Sequence, residues 1–402
     1  MRILIADKLA PHVADALEDQ GCAVTTDPTL KEEELRQAIA RLDPDVLVVR
    51  STQVKAEHLR AGRSLSLVIR AGAGVNTIAL DEASARGIQV ANCPGKNAVA
   101  VAELAIGHLV NLDRRIADNV ADLRAGLWRK KEYGRARGLA GRTLAVLGCG
   151  EIGRAVIRRA LAMEMKVRAW SIELTPELAR GLGVEHAATP LDACRGADAL
   201  TIHLALVPET RGLVDSRLLE ALRPGALVVN TSRGGLVDQE ALVRVIESRG
   251  LRAGLDVFAE EPAAAEAPFP YAIAQNPAVY GTHHIGASTD QAEEAVGDEV
   301  VHIVGTYLQS GQVPHCVNLA ERSQATHLLV VRHRDEVGVL AGVLEVLREA
   351  GINVQEMENA IFSGGGAARA RIQLEAAPPA AVLARLDAHP AIFATSLVAL
   401  DS

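Results

Sequence analysis

The chain has 402 residues, of which 49% are hydrophobic and 23% are charged, and its formal net charge is −8 at pH 7. At roughly 100–200 residues per domain, this length predicts two to four globular domains. The composition excludes a disordered chain, and the lack of a basic excess argues against a nucleic-acid partner. No apolar run of about 18 residues is present, and Asp7 interrupts the apolar N-terminus, so we expect a cytoplasmic protein without membrane contact.

The cysteines predict neither a disulfide framework nor a metal site. They are odd in number, lie far apart and form no C-x-x-C pair, which is typical of a reduced compartment. The five residues are Cys22, Cys93, Cys149, Cys194 and Cys316.

Strand-like apolar runs alternate with amphipathic helical stretches along most of the chain. This alternation predicts α/β layers around parallel sheets. A long apolar helix over Ala98–Leu112 separates two series of elements. The first series has predicted strands Arg2–Ala6, Ala23–Thr25, Val46–Arg50 and Leu67–Ala71, and helices Pro11–Gln20 and Lys31–Arg41. The second has predicted strands Leu144–Leu147, Val167–Trp170, Ala199–His203, Ala226–Asn230, Arg252–Asp256 and Val279–Tyr280.

The last part of the chain has a different order of elements. A helix is predicted at Asp290–Leu308, and Leu319–Gln324 is predicted to be a linker. The segment after it has the βαββαβ order of ferredoxin-like domains. Its predicted strands are His327–Arg332, Asn353–Ile361, Ala368–Glu375 and Phe393–Leu400, and its helices are Gly338–Ala350 and Pro379–Ala388. We therefore expect two Rossmann-like, doubly wound parallel-sheet domains followed by a small βαββαβ domain.

A glycine-rich turn follows the first strand of the second series. The strand Leu144–Leu147 leads into Gly148-Cys-Gly150-Glu-Ile-Gly153 and then into a helical stretch. Glycines at this spacing allow a tight turn, a close approach of the backbone to a pyrophosphate, and packing of the helix on the strand. The helix N-terminus faces the anion. The sequence thus predicts dinucleotide contacts at Gly148, Gly150, Glu151, Ile152 and Gly153.

The end of the next strand leaves the choice of dinucleotide open. An acid about 20 residues after the first glycine ordinarily binds the adenosine ribose. Here Ser171 follows the strand end at Trp170. Ser171 supplies neither a carboxylate that would exclude a 2′-phosphate nor a cation that would attract one. We expect NAD at this site, with NADP as the alternative.

Three polar clusters follow later strands of the second series, at the sheet edge where open α/β folds bind ligands. They are Asn230–Gly235, Asp256–Pro262 and His283–Thr289. A nicotinamide enzyme acting on a 2-hydroxy acid needs a cation for the substrate carboxylate and a titratable group for the hydroxyl proton. Arg233, His284 and an acid that orients the histidine would supply this set.

Together with the glycine-rich turn, these clusters resemble the D-isomer-specific 2-hydroxyacid dehydrogenases. The resemblance is carried by Leu227–Asp238, Gly254–Pro262 and His284–Thr289. It implies that Arg233 holds the substrate carboxylate and that His284 takes the hydroxyl proton as hydride leaves. His284 is chosen over its neighbour His283 because Ile-Gly-Ala-Ser-Thr follows it.

The same resemblance implies the remaining contacts of the site. Glu261 would orient His284 and raise its pKa, and Asp256 would face the nicotinamide. Further cofactor contacts are implied at Thr231, Ser232, His284, Gly286 and Ala287.

The first series resembles one branch of this family, the D-3-phosphoglycerate dehydrogenases. The matching segments are Val48–Thr52, Val68–Asn76, Asn92–Asn97 and Trp128–Lys131. The branch implies NAD-dependent oxidation of 3-phosphoglycerate to 3-phosphohydroxypyruvate, the first step of L-serine biosynthesis. The implied substrate contacts are the cations Arg50, Arg70 and Lys131 and the backbone N–H groups of Ala73, Gly74 and Val75.

The C-terminal segment resembles the ACT regulatory domain, a βαββαβ module that binds amino acids at a subunit interface. His333–Leu340 and Gly351-Ile-Asn353 carry this resemblance. It implies an amino-acid effector, serine, at His333, Asp335 and Asn353. An oligomerisation module without a ligand is the alternative.

These resemblances imply three domains. They are a flavodoxin-like substrate-binding domain (1–97 and 290–318), a dinucleotide-binding Rossmann domain (98–289) and an ACT domain (326–402). Apolar faces on the long helix and on the ACT strands predict a homodimer or homotetramer.

Two other functions stay open. One is an NAD(P)H-dependent reductase of glyoxylate, hydroxypyruvate or another 2-keto acid. The other is a dinucleotide-sensing binding protein without enzyme activity.

Overall fold

The computed structural model describes residues 1–262, 266–320 and 323–400. The chain forms two compact units, Met1–Asn318 and Leu319–Ser402. Residues 321 and 322 of the predicted linker Leu319–Gln324 lie outside the described residues, as do the last two residues of the chain.

The first unit contains two parallel sheets, and the first of these has five strands. Their order is β2-β1-β3-β4-β5, which is a doubly wound arrangement. Helices pack against the sheet, so its central strands are continuous buried apolar runs. The strands are β1 (Arg2–Ile5), β2 (Ala23–Thr26), β3 (Val46–Val49), β4 (Leu67–Arg70) and β5 (Gln89–Asn92). The helices are α1 (His12–Asp19), α2 (Glu32–Leu42), α3 (Ala56–Ala61) and α4 (Leu80–Ala85).

Three elements of this first sheet layer are not evident in the sequence pattern. Helices α3 and α4 have six residues each, which is too short to show a helical period. Strand β5 has the sequence Gln-Val-Ala-Asn, with polar residues at both ends. The other predicted elements of this region are confirmed to within one or two residues.

The second sheet has seven parallel strands in the order β12-β11-β10-β9-β6-β7-β8. The chain reverses its winding direction between β6 and β9, and open α/β sheets bind ligands at such a point. The strands are β6 (Thr143–Leu147), β7 (Lys166–Trp170), β8 (Glu185–His186), β9 (Ala199–Ile202), β10 (Leu227–Asn230), β11 (Arg252–Leu255) and β12 (Val279–Gly281). The helices are α5 (Ala98–Arg114), α6 (Ile116–Arg124), α7 (Lys130–Tyr133), α8 (Glu151–Ala162), α9 (Pro176–Leu182), α10 (Pro190–Cys194), α11 (Ser216–Ala221), α12 (Gln239–Arg249) and α13 (Ala272–Gln275).

Two long helices join the sheets. The chain leaves the first sheet through α5 and returns through α14 (Asp290–Ser310), which packs against α1 and touches α5. After α14 the chain runs back along β5. There Cys316 forms an antiparallel β-bridge with Ala91, and Asn318 accepts a hydrogen bond from the Val90 N–H at 2.8 Å. The sheets are thus connected at two crossings, close to each other in the fold.

The second unit has one antiparallel sheet in the order β14-β15-β13-β16, with two helices on one face. The predicted βαββαβ order is confirmed. The alternating burial of β13 and β15 matches a sheet covered on one side only. The elements are β13 (His327–Arg334), α15 (Val339–Glu349), β14 (Val354–Ile361), β15 (Ala367–Leu374), α16 (Ala380–Asp387) and β16 (Ile392–Ala399).

Among the described residues, no helix combines the length and the apolar character needed to cross a bilayer. All five cysteines are free thiols. Glu32, Glu57 and His58 form the one His/Cys/Asp/Glu group of the described chain that is compact enough for a metal ion. His58 already uses both ring nitrogens, because Nδ1 accepts from the Lys55 N–H at 2.9 Å and Nε2 donates to the Glu32 carbonyl at 3.0 Å. It has no lone pair left for a metal.

A buried ion pair ties the end of α5 to the second sheet. Arg142 donates to Asp113 at 2.9 Å and to the Asp198 carbonyl at 3.1 Å. Asp113 also accepts from the Gly138 N–H at 3.0 Å. The side chains of Arg142 and Asp113 are only 8% and 2% exposed. A buried charge left without its partner is strongly destabilising.

We expect Asp113→Asn to lower the free energy of unfolding of the first unit by about 3 kcal/mol, because it leaves the buried Arg142 charge with only the more distant Asp198 carboxylate, at 3.9 Å. Urea denaturation followed by circular dichroism measures the change. Glu177→Gln is the matched control, since Glu177 is 72% exposed in a surface pair with Arg180. An Asp113→Asn midpoint equal to that of the control would contradict the assignment.

Candidate active site

The glycine-rich turn between β6 and α8 has the geometry of a pyrophosphate cradle. A Cβ at Gly148 would lie 2.2 Å from the His203 carbonyl oxygen, and a Cβ at Gly153 would lie 2.0 Å from the Gly148 oxygen. Both glycines are therefore required for the close packing of the turn. At Gly150, which precedes the first turn of α8, a Cβ would meet no atom within 4 Å. This open side lets an anion approach the helix N-terminus, so the residues present fit a dinucleotide.

The remaining cofactor contacts predicted in this region lie at the start of α8 and directly after β7. Glu151 and Ile152 form the first turn of α8. Ser171 follows β7 directly, is half-buried, and its carbonyl accepts from the Leu174 N–H at 3.1 Å. Ile172 beside it is 87% exposed.

The loop after β10 carries Arg233 and is braced by its own polar groups. Asn230 donates to the Arg233 carbonyl at 2.9 Å and accepts from the Ser232 N–H at 3.0 Å. The Ser232 hydroxyl donates to the Ile202 carbonyl at 2.6 Å. Thr231 is buried, and its hydroxyl has no partner among the described residues. Of the two predicted hydroxyl contacts, Thr231 alone thus has a hydroxyl without a hydrogen-bond partner among the described residues.

Gly234 brings the Arg233 loop against the loop after β11. A Cβ at Gly234 would lie 2.0 Å from backbone atoms of Phe258, so only glycine fits this contact. On the other side, a Cβ at Gly74 would lie 2.9 Å from Arg233 Nη2. Arg233 therefore reaches from the second sheet across to the turn after β4, in the cleft between the two sheets.

His284 and Glu261 form an ion pair beside Arg233. His284 Nδ1 lies 2.7 Å from Glu261 Oε2, and Glu261 Oε1 accepts from the Phe258 N–H at 2.9 Å. With Nδ1–H donating to the carboxylate, Nε2 of His284 is left to accept a proton. A cavity of about 410 Å³ lies against the pair, lined in part by Asp256 and Phe269.

The pair shifts both pKa values in the direction of a charged dyad. The hydrogen bond to Glu261 raises the pKa of His284 above its usual value, against the opposing effect of burial. Burial acts to raise the pKa of Glu261, but the hydrogen bonds from His284 and Phe258 outweigh it and lower that pKa. His284 therefore keeps its proton to a higher pH than an isolated imidazole does.

Asp256 anchors the loop that carries His284. Its carboxylate is 1% exposed and accepts from the Thr282 hydroxyl at 2.6 Å, the Ile285 N–H at 2.9 Å and the Gly286 N–H at 2.8 Å. Its carbonyl accepts from the His284 N–H, and His284 has a φ of 53°, which a residue with a side chain rarely adopts. The Asp256 oxygens and the Gly286 N–H are thus engaged within the protein. Ala287 is half-buried at the end of this loop.

Three arginines meet at the cleft. Arg70 is half-buried, and its Nε is buried with no hydrogen-bond partner among the described residues. Burial, and then the nearby charges of Arg233 and Arg50, lower the pKa of Arg70. A Cβ at Gly72 would lie 1.8 Å from Arg70 Nη1, so glycine is needed for Arg70 to fold over its own turn. Such a concentration of positive charge favours an anionic ligand.

The turn after β4 also offers backbone donors. Ala73, Gly74 and Val75 are half-buried, and their N–H groups form no hydrogen bond within the described parts of the chain. Lys131 lies elsewhere: it is exposed on α7, a helix tied by Glu132 to Arg115 at 2.7 Å. The structure brings Arg50, Arg70 and Arg233 together but does not bring Lys131 to them within one chain.

The predicted effector residues lie in the second unit. His333 is 2% exposed, and its Nδ1 donates to the Arg334 carbonyl at 2.7 Å. Its Nε2 lies 3.2 Å from the Asn359 side chain. Asp335 and Asn353 are exposed. The His333 ring is therefore bonded within its own unit.

Several residues of the site are not evident from sequence. Gly72 shapes the space for Arg70, and Thr282 links the His284 loop to Asp256. Gly74 is expected from the sequence as a backbone donor, but its close contact with Arg233 is not. The one available signal was the pair of glycines flanking Ala73, since a glycine outside a regular element often marks a close approach. Glu293 contacts Arg50 but lies within α14, and no local sequence pattern indicates this contact.

Comparisons with known proteins bear on the family of this chain. The D-isomer specific 2-hydroxyacid dehydrogenase, NAD binding domain, matches residues 106–286. D-3-phosphoglycerate dehydrogenase from Mycobacterium bovis is 38% identical over 359 residues, which cover 88% of this chain and 66% of that protein. The chain thus spans just under two thirds of the length of this relative.

Solved structures match the same part of the chain. The TT0316 protein from Thermus thermophilus is 30% identical, with a TM-score of 0.69 over 79% of this chain and 100% of that one. An NAD+-bound 3-phosphoglycerate dehydrogenase from Entamoeba histolytica is 26% identical, with a TM-score of 0.66 over 79% of this chain and 99% of that one. By its sequence match and by its fold, the chain belongs to the family of D-isomer-specific 2-hydroxyacid dehydrogenases.

Proposed function

We propose that this chain is an NAD-dependent D-3-phosphoglycerate dehydrogenase. It oxidises 3-phosphoglycerate to 3-phosphohydroxypyruvate, the first step of L-serine biosynthesis. The observation that carries the proposal is the 2.7 Å His284–Glu261 pair in the same cleft as three arginines. The relatives named D-3-phosphoglycerate dehydrogenase support the choice of substrate.

The proposed reaction removes a hydride and a proton from the 2-hydroxy acid. A dinucleotide held by the turn Gly148–Gly153 would supply the nicotinamide as the acceptor of the hydride from C2. Nε2 of His284 accepts the hydroxyl proton, and the Glu261 carboxylate stabilises the imidazolium that forms. Arg233 and the free N–H groups of Ala73–Val75 hold the substrate carboxylate, and Arg233 polarises the oxygen that becomes the carbonyl.

The far end of the substrate is assigned to the other two arginines. A phosphate carries close to two negative charges, and a guanidinium binds it with two parallel hydrogen bonds. Arg50 follows β3 and Arg70 ends β4, so both belong to the first sheet layer. Lys131 stays a proposed contact, which a second copy of the chain would have to supply.

The dinucleotide is assigned to the turn Gly148–Gly153 and to the Thr231 loop. Ser171 leaves room for a second candidate function, an NAD(P)H-dependent reductase of glyoxylate, hydroxypyruvate or another 2-keto acid. A carboxylate at that position would repel a 2′-phosphate, and Ser171 carries none.

We also propose the division of the chain into domains and the role of the second unit. Residues 1–97 with 290–318 bind the substrate, 98–289 bind the dinucleotide, and 326–402 form an ACT domain. Its proposed effector is serine, held by His333, Asp335 and Asn353.

A cytoplasmic homodimer or homotetramer is also proposed. The exposed apolar residues around α6 support it, namely Ile116, Leu123, Leu127 and Trp128.

The first experiment is a dehydrogenase assay with 3-phosphoglycerate, offering NAD and NADP separately and removing the product as it forms. We expect turnover with NAD. Arg50→Gln should raise the KM for 3-phosphoglycerate by about tenfold or more, because a charge-assisted bond to the phosphate is lost. Inert 3-phosphoglycerate together with NADPH-dependent reduction of glyoxylate or hydroxypyruvate would establish the second candidate instead.

His284→Gln should lower kcat by about 10²–10⁴-fold, because the proton acceptor is removed. The Kd for NAD, measured by fluorescence titration, should change little. His283→Gln is the control, since it removes the exposed neighbouring imidazole and should retain activity. A protein that binds NAD equally well in all three forms but never turns over would be a sensor rather than an enzyme.

Glu261→Gln should move the acidic limb of the kcat/KM profile for oxidation to lower pH. Oxidation needs neutral His284, and Glu261 raises the pKa of that histidine, so its loss lets His284 become neutral at lower pH. The plateau rate should fall by about tenfold or more, since the imidazolium loses its counter-charge. The pH profiles of both proteins measure this, and an unmoved or upward-shifted limb would refute the role given to Glu261.

A further inference from the structure

Arg50, a proposed phosphate ligand, already has a carboxylate partner within the chain. Its Nη1 donates to Glu293 Oε1 at 2.7 Å. The two side chains are 29% and 33% exposed, so the pair lies at the edge of the cleft rather than in open solvent. The chain therefore holds an internal anion beside the cation proposed to bind the far end of the substrate.

Arg50, the cation of this pair, is held in place by hydrogen bonds to its backbone. Arg50 follows β3, where the Asp7 carboxylate accepts from the N–H groups of Arg50 at 2.7 Å, Ser51 at 3.0 Å and Thr52 at 2.9 Å. These bonds lower the pKa of Asp7 despite the opposing effect of its burial. The start of the Arg50 side chain is therefore fixed.

Glu293, the carboxylate of this pair, lies in the first turn of α14. Thr289 caps this helix, because its hydroxyl accepts from the Ala292 N–H at 3.2 Å and its carbonyl accepts from the Glu293 N–H at 2.9 Å. The helix begins directly after the loop that carries His284. The position of Glu293 is thus coupled to the loop of the proposed proton acceptor.

The other arginines of the cleft carry no such partner. Neither Arg70 nor Arg233 forms an ion pair with any carboxylate in the described parts of the chain. Glu293 thus neutralises one of the three cations. A phosphate bound to Arg50 would lie beside the Glu293 carboxylate, and like charges at this distance repel each other. A substrate that ends in a hydroxyl would meet no such repulsion.

We propose that Glu293 is a specificity-determining residue of the substrate site. It acts as an internal competitor for Arg50, which weakens the binding of 2-hydroxy acids with a dianionic end relative to those with an uncharged end. The inference rests on the proposed function for the identity of the substrate. It assigns to this chain a lower preference for phosphorylated substrates than its three arginines alone would give.

The test compares two substrates that differ only in the phosphate, 3-phosphoglycerate and D-glycerate. Glu293→Gln keeps the shape of the side chain and removes its charge. It should lower the KM for 3-phosphoglycerate by about three- to tenfold, in line with the difference between charged and neutral hydrogen bonds, and leave kcat unchanged. The KM for D-glycerate should stay within about twofold.

Glu294→Gln is the matched control. Glu294 is the next residue of the same helix turn, is exposed, and forms no ion pair among the described residues. Glu294→Gln removes the same charge from the same helix end but leaves the Arg50–Glu293 contact in place. It should therefore leave the ratio of the two KM values unchanged. If both variants change the ratio of KM values equally, the effect comes from the total charge at the helix end and not from the contact with Arg50. That outcome would overturn the proposal.

A double-mutant cycle shows whether the effect passes through Arg50. In an Arg50→Gln background, Glu293→Gln should no longer change the preference between the two substrates. A shift that persists there, or a uniform rise of both KM values, would show a structural role and overturn the proposal.

The Kd values of both ligands, measured by calorimetry in the presence of NAD, separate this inference from the proposed function. If the native chain does not turn over 3-phosphoglycerate, the proposed function fails, and the ratio of Kd values still decides the role of Glu293. A ratio that is the same in the native protein and in Glu293→Gln, or no binding of 3-phosphoglycerate to either, overturns the inference.

Discussion

The Asp256 carboxylate holds the part of the structure on which the candidate site depends. It is buried at the end of β11 and takes three hydrogen bonds from the loop of Thr282, Ile285 and Gly286. A buried carboxylate must be satisfied in this way, because an unpaired one would be strongly unfavourable. The resulting loop keeps His284 at a positive φ and directs its ring to Glu261. A backbone in this unfavourable conformation persists only when surrounding contacts hold it there, and the hydrogen bonds of Asp256 are such contacts.

The same loop connects the chemistry of the cleft to the crossing between the two sheets. Thr282 lies 3.2 Å from the buried His108 of α5, the helix through which the chain enters the second sheet. Helix α14, through which it returns, starts where the loop ends. Both connections therefore contact the loop that bears the proposed proton acceptor. A relative movement of the sheets would act on His284 and on the Arg50–Glu293 pair together.

Close approaches at glycines place the charges of the cleft. Gly72 allows Arg70 to fold over its own turn, Gly74 admits Arg233, and Gly234 lets two loops touch through their backbones. At Gly234 the neighbour is backbone and leaves no room for a Cβ, whereas at Gly72 and Gly74 a Cβ would displace the end of an arginine side chain. The cations are in this way held near one another, although their mutual repulsion opposes it and contributes to the lowered pKa of Arg70. An anionic ligand relieves this repulsion, which is a physical reason for the site to prefer acids.

The sequence alone determined the layered α/β architecture, the glycine-rich turn, the βαββαβ order of the second unit and the residues Arg233, Glu261 and His284 as a candidate set. These features are local: periodic burial, glycines at fixed spacing and polar clusters at strand ends can each be recognised within about 15 residues. Tertiary structure alone decided the partners. Asp256 engages the His284 loop, Glu293 engages Arg50 across 243 positions, and Lys131 lies apart from the other cations within the chain. Which carboxylate meets which cation depends on how distant segments pack, and no local pattern in the sequence records it.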